Sequence, residues 1–181
     1  MIPTEVKVGG WRMYLAAPLF TVAERAFNEE IACHLRWFGH LVFLPQDTPQ
    51  KYEPAIFNKN VIGLKWSNTI VAILDGSDPD SGTAWECGYA FATERPVIGV
   101  RTDFRSADLN LMLTQSVHKM IVAPDQPGFA VAKLIDRALR EIELPALAKT
   151  TKEAVKACIH CGQTNHCGHG AINCRFMGRN M

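Results

Sequence analysis

The sequence has no run of apolar residues approaching the ~20 needed to span a bilayer. It also lacks an excess of either charge: 19 Lys and Arg against 18 Asp and Glu leave a formal net charge of +1. That balance gives no basis for broad attraction to nucleic acid or to an anionic membrane. The opening residues, MIPTEVKVGGWR, have no basic-then-apolar layout, so no secretory signal is expected and the default location is cytoplasmic. No G-x-G-x-x-G follows the first apolar run and no Walker motif occurs anywhere, which argues against a nucleotide phosphate cradle. There is no internal repeat. Cysteine is scarce until the end: only Cys33 and Cys87 precede residue 157, in helical-looking segments, while Cys158, Cys161, Cys167 and Cys174 crowd the tail.

What is present reads as an α/β domain. At 181 residues and 48% hydrophobic, the chain suits one domain with a full core and a short appendage. RMYLAA (12–17) is a plausible first strand ended by Pro18. From Thr21 to about Phe38, Val22, Phe27, Ile31, Leu35 and Phe38 recur at helical spacing. Thr21 and Glu24 give the capping-box signature, and Gly39 is the stop. LVFL (41–44) is a second strand and 55–67 a second helix. TIVAIL (69–74) has the β-branched, doubly apolar character of a buried parallel strand. A helix from Thr83 to Glu94, strands at 96–100 and 118–123, and an amphipathic helix from about Phe129 to Ile142 complete the order. Alternating strands and helices predict a doubly wound, five-stranded parallel sheet covered on both faces. Ligands then bind beyond the carboxyl ends of the strands, which singles out the loops 16–21, 45–53, 75–82 and 101–110.

One of those loops is acidic. In DGSDPDSGTAWECG (75–88), Asp75 ends the third strand, Asp78 and Asp80 bracket Pro79, and Glu86 falls in the first turn of the following helix. A carboxylate there is expected to be held ionised by the helix dipole, as a nucleophile or a stabiliser of a cation. The plainer alternative is a solvated turn whose acids cap a helix.

DPDSGTAWECGYAFA, together with YLAAPLF near the N-terminus and NLM at 110–112, resembles the nucleoside 2-deoxyribosyltransferase family over roughly residues 12–140. The resemblance implies a flavodoxin-like fold and exchange of the base on a 2′-deoxyribonucleoside through a covalent deoxyribosyl-enzyme intermediate, with no cofactor for catalysis. It implies that Glu86 is the nucleophile, Tyr14 orients it, and Asp80 contacts the nucleoside. It implies that Asn110 reaches a neighbouring subunit's site, hence a homo-oligomer, and that Phe20 lies near the base. Asn60 stands where the family carries an Asp that helps protonate the departing base. Asn can donate and accept hydrogen bonds but cannot deliver a proton as a carboxylic acid does. Asp75, Asp78 or Asp47 could then supply the proton, and Gln46 in the loop after the second strand is a further candidate substrate contact. Related hydrolases of deoxynucleoside monophosphates carry Ser and Arg after the first strand. Here that loop is AAPLFT, so a free nucleoside is expected. A nucleoside hydrolase and a non-catalytic nucleoside-binding or regulatory protein remain the alternative readings.

The remaining features divide by position. Residues 1–143 form the domain so described, 144–157 a linker, and 158–181 a Cys/His-rich tail. Cys158 and Cys161 make a C-x2-C knuckle, which with His166, Cys167 and Cys174 suggests a structural zinc site; a disordered or partly oxidised tail is the alternative. One basic pair, Arg175 and Arg179, is thin support for nucleic-acid binding. Cys87 is expected in the core, Trp85 and Trp66 in the core or an interface. His34, His40 and His118 are read as surface or capping residues without a carboxylate partner.

Overall fold

A computed structural model describes residues 10–47, 53–104 and 109–142. The chain divides into two units, 1–141 and 142–181, and the architecture below concerns the first. Five strands, β1 (Arg12–Ala16), β2 (Leu41–Phe43), β3 (Thr69–Ile73), β4 (Val97–Arg101) and β5 (Lys119–Val122), form one all-parallel sheet in the order β2-β1-β3-β4-β5. This is the doubly wound order of flavodoxin-like folds, which reverses direction between β1 and β3 and opens a crevice there. β3 and β4 are buried at every position, as their largely apolar runs favour, with Thr69 and Arg101 buried at their ends.

The helices are α1 (Val22–Trp37), α2 (Glu53–Trp66), α3 (Ser81–Ala92), α4 (Leu111–Ser116) and α5 (Gly128–Arg140), with one 3₁₀ turn at Pro45–Asp47. α1 packs on α5, and α3 on α4. The capping box at Thr21 forms as expected: the Thr21 hydroxyl accepts from the Glu24 N–H, and the Glu24 carboxylate accepts from the Thr21 N–H at 2.7 Å. On the α3 side the core gathers Tyr14, Ala16, Leu64, Ile70, Ala72, Leu74, Cys87 and Ala90. Cys87 is fully buried there, and burial pushes its thiol up to about 12.

α4, the helix that the alternating order requires between the last two strands, had no range in the sequence, because six residues are too few to display a helical period. Two expectations need correction. α3 begins two residues earlier than Thr83, because Asp80 is its N-cap, accepting from the Thr83 N–H at 2.9 Å. His40 does have a carboxylate partner. Its Nδ1 accepts from the Trp11 N–H at 3.3 Å, so Nε2 carries the hydrogen donated to Asp136 on α5 at 3.0 Å. That partner is 96 positions away, beyond any local pattern.

A close backbone approach prepares the site. A methyl group placed on Gly63 in α2 would meet the Phe43 ring at 2.7 Å. Phe43 in turn stacks on Tyr14, with centroids 5.3 Å apart and planes at 10°. Gly63→Ala is expected to destabilise the protein by about 1–2 kcal/mol, overpacking outweighing the gain in helix propensity. Urea denaturation checks it, and equal or greater stability would contradict the tight contact.

Candidate functional site

Tyr14 lies in the middle of β1, fully buried, and its hydroxyl donates to Glu86 Oε1 at 2.5 Å. Two residues 72 positions apart meet because β1 and β3 are neighbours and α3 returns over β1. Burial first, then the charge of Glu86, pushes the Tyr14 phenol far up, so it remains a donor throughout the physiological range.

Glu86 is the sixth residue of α3, one turn deeper than the sequence reading placed it. The helix dipole acts mainly on the first turn, so it does not govern this carboxylate. Burial does: it raises Glu86 from 4.5 to about 7, the Tyr14 hydrogen bond opposing and the Asp80 charge adding to the rise. The expectation of a lowered pKa is therefore reversed, because desolvation was invisible in the sequence.

A group whose folded pKa is raised supports the fold fully below its unfolded value, and that support is lost as pH climbs through the folded value. For Glu86 the window runs from about 4.5 to about 7, and the loss amounts to about 3 kcal/mol. Glu86→Gln, which does not titrate, is expected to gain about that much over the parent at pH 8 and nothing at pH 4. Denaturation at the two pH values tests this, and no pH dependence in the difference would refute it.

Glu86 opens into a pocket of about 300 Å³, lined by Phe57, Asn60, Val61 and Leu64 of α2 and by Gly82, Trp85 and Glu86 of α3. That volume is at the lower end of small-molecule sites, roughly 300–1,000 Å³. The α2 residues fall at i, i+3, i+4 and i+7, and the α3 residues at i, i+3 and i+4, so each helix contributes one face. Among the described residues, Glu86 is the one ionisable lining residue. Asn60 lines the same space, whereas Phe57 and Val61 were not singled out from the sequence, though the α2 spacing could have found them.

The other proposed site residues have different placements. Asp80 caps α3 beside the pocket, its Oδ2 taken by the Thr83 N–H and hydroxyl. Asp75 is directed at the end of β4: it accepts from the Thr102 N–H at 2.6 Å, the Thr102 hydroxyl at 2.5 Å and the Asp103 N–H at 3.3 Å. That carboxylate ties the loops after β3 and β4 together. Gln46 bridges the Asn28 amide and the Arg25 carbonyl, and Asp47 pairs with Arg36. Phe20 is exposed and Asn110 caps α4 through the Met112 N–H, with Leu111 and Met112 exposed beside it. None of these lines the pocket. Asp78 is exposed.

Cys158, Cys161, His166, Cys167 and Cys174 lie outside the described residues. Among the described residues no group of three or more His, Cys, Asp or Glu could hold a metal ion, and no helix is long and apolar enough to cross a membrane.

Residues 13–161 match the family model described as nucleoside 2-deoxyribosyltransferase. No curated protein matches the chain. Among solved structures, the chain is similar to the 2-deoxyribosyltransferase of the psychrotolerant bacterium Bacillus psychrosaccharolyticus, at 26% identity and a TM-score of 0.56, over 66% of this chain and 89% of that one. It shares its fold with a conserved protein from Enterococcus faecalis V583 (23% identity, TM-score 0.58, 70% and 97% covered). The same holds for a 2-deoxyribosyltransferase from Leishmania mexicana (23% identity, TM-score 0.53, 68% and 94% covered).

Proposed function

Because the chain belongs to the nucleoside 2-deoxyribosyltransferase family, we propose that it exchanges the base of 2′-deoxyribonucleosides through a deoxyribosyl ester on Glu86. The observation that carries this reading is the Tyr14–Glu86 pair: a partly buried carboxylate, oriented by a phenol at 2.5 Å, facing a pocket of nucleoside-compatible size. The similar protein from Bacillus psychrosaccharolyticus is named a 2-deoxyribosyltransferase.

The chemistry follows from these groups. As the C1′–N bond lengthens, positive charge grows on the sugar, and the Glu86 carboxylate stabilises it at close range. A Glu86 oxygen then bonds to C1′ while the bonding pair leaves with the base, which takes up a proton from water at its ring. A second base attacks C1′ from the vacated side and gives its ring proton back to water, and the ester oxygen departs as carboxylate. Two inversions give net retention. Tyr14 keeps one Glu86 oxygen engaged, so that the other points at the sugar. Asp80 is the candidate sugar contact, Asn110 the candidate contribution to a neighbouring subunit's site, and Asn60 the hydrogen-bonding partner of the base edge.

Incubating the protein with a 2′-deoxynucleoside and a different free base tests the reading. Appearance of the exchanged nucleoside supports it. Release of base without exchange would mean that water resolves the ester, and neither product would leave a binding protein. A second prediction concerns the missing acid. Asn60→Asp puts a carboxyl group where the base departs and is expected to raise kcat by about tenfold, a fraction of what positioned general acids supply. Steady-state exchange rates check it; an unchanged or lower kcat would show that the proton comes from elsewhere.

A further inference from the structure

Trp85 is unexplained by a carboxylate mechanism. It is 51% exposed, although it adjoins the partly buried Glu86 and lines the same pocket. One turn further along α3, Tyr89 stacks on it, with centroids 5.7 Å apart and planes at 20°. The Arg95 guanidinium lies over the Tyr89 ring at 5.7 Å. On the pocket side Phe57 approaches Trp85 at 6.2 Å with planes at 58°, and is itself 58% exposed. A ladder of Arg95, Tyr89, Trp85 and Phe57 thus starts just past the end of α3, follows that helix and reaches α2 at the pocket.

Each rung has a physical consequence. Tyr89 covers part of the indole and fixes its orientation, an offset-stacked arrangement that aromatic pairs favour. What is left open is a flat, half-exposed surface one residue from the carboxylate. Asn60, one turn of α2 beyond Phe57, supplies a donor and an acceptor to the same space. A planar heteroaromatic ring needs this combination: an aromatic face to stack on and an amide at its edge.

We propose that Trp85, flanked by Phe57 and held by Tyr89, is the platform on which the nucleobase stacks, and that it sets base acceptance at the site. The proposal rests on the base-exchange reading of that site and adds the recognition element. Stacking engages the π-face that every base shares, so the platform accepts both purines and pyrimidines. Purines overlap the indole more and depend on it more. Tyr89 is a positioning residue that acts through Trp85.

The test uses the full chain with Trp85→Ala, Trp85→Phe and Tyr89→Leu. Binding of free adenine and free thymine is measured by calorimetry, exchange kinetics are followed in parallel, and the assembly state is read by sedimentation velocity. Trp85→Ala is expected to weaken adenine binding about tenfold and thymine less, within the range base–aromatic stacking supplies. Because the stack is present in ground and transition states alike, the loss should fall on KM rather than kcat. Trp85→Phe should recover most of the affinity, and Tyr89→Leu should lose an intermediate amount.

Adenine affinity and KM of Trp85→Ala equal to the parent's would overturn the proposal. So would a variant whose only change is its assembly state, since that would make the surface a subunit contact. A parent protein that binds no base also overturns it. A parent that binds adenine through Trp85 but exchanges nothing would leave the platform standing and remove the exchange reading. Exchange by the parent, with Trp85→Ala binding normally, would do the reverse.

Discussion

Glu86→Gln is expected to lower base exchange by about four orders of magnitude, because an amide neither bonds to C1′ nor offsets the charge growing there. The variant should still fold. It keeps the shape of the side chain and an oxygen that can accept from the Tyr14 hydroxyl, and it escapes the cost of ionising a carboxyl group that burial holds near 7. Loss of rate with gain of stability at alkaline pH is thus the paired signature of a residue retained for chemistry against the interest of the fold. Exchange assays alongside denaturation of the same preparation read both. Exchange by Glu86→Gln within tenfold of the parent would remove Glu86 from the nucleophile's role.

Tyr14→Phe is expected to cost about 50-fold in kcat/KM near neutral pH, the loss of one hydrogen bond to a charged group plus a smaller ionised fraction. The pH profile separates the two contributions. In the parent, kcat/KM should rise with pH as Glu86 ionises through about 7. The Tyr14 hydrogen bond favours the ionised form, so removing it leaves burial less opposed and moves this limb to higher pH. Part of the lost rate should therefore return in alkaline buffer. An acid limb left in place, or moved to lower pH, would contradict the hydrogen bond's assigned effect.

The alternation of apolar strands and periodic helices carried most of the fold. TIVAI and VIGVR are buried at every position, and Thr21 with Glu24 marked the start of α1 correctly. α4 was implied by the alternation but could not be bounded, because six residues show no helical period. At the site, Glu86 and Tyr14 could be named from their motifs, but their contact depends on the β1–β3 pairing, which no local pattern contains. The ionisation of Glu86 was misjudged for the same reason. A helix start can be read from caps, whereas burial depends on what folds over the carboxylate. Trp85 was read as core or interface on residue type, and only its half-exposed setting against Tyr89 distinguishes it.

The most direct measurement is the mass of the protein quenched in acid during turnover of a 2′-deoxynucleoside, followed by peptide mapping. A 2-deoxyribosyl adduct on the peptide containing Glu86, absent from Glu86→Gln and discharged by adding a second base, is the predicted result. Turnover by the parent with no adduct on that peptide, or with the adduct on another residue, would contradict it.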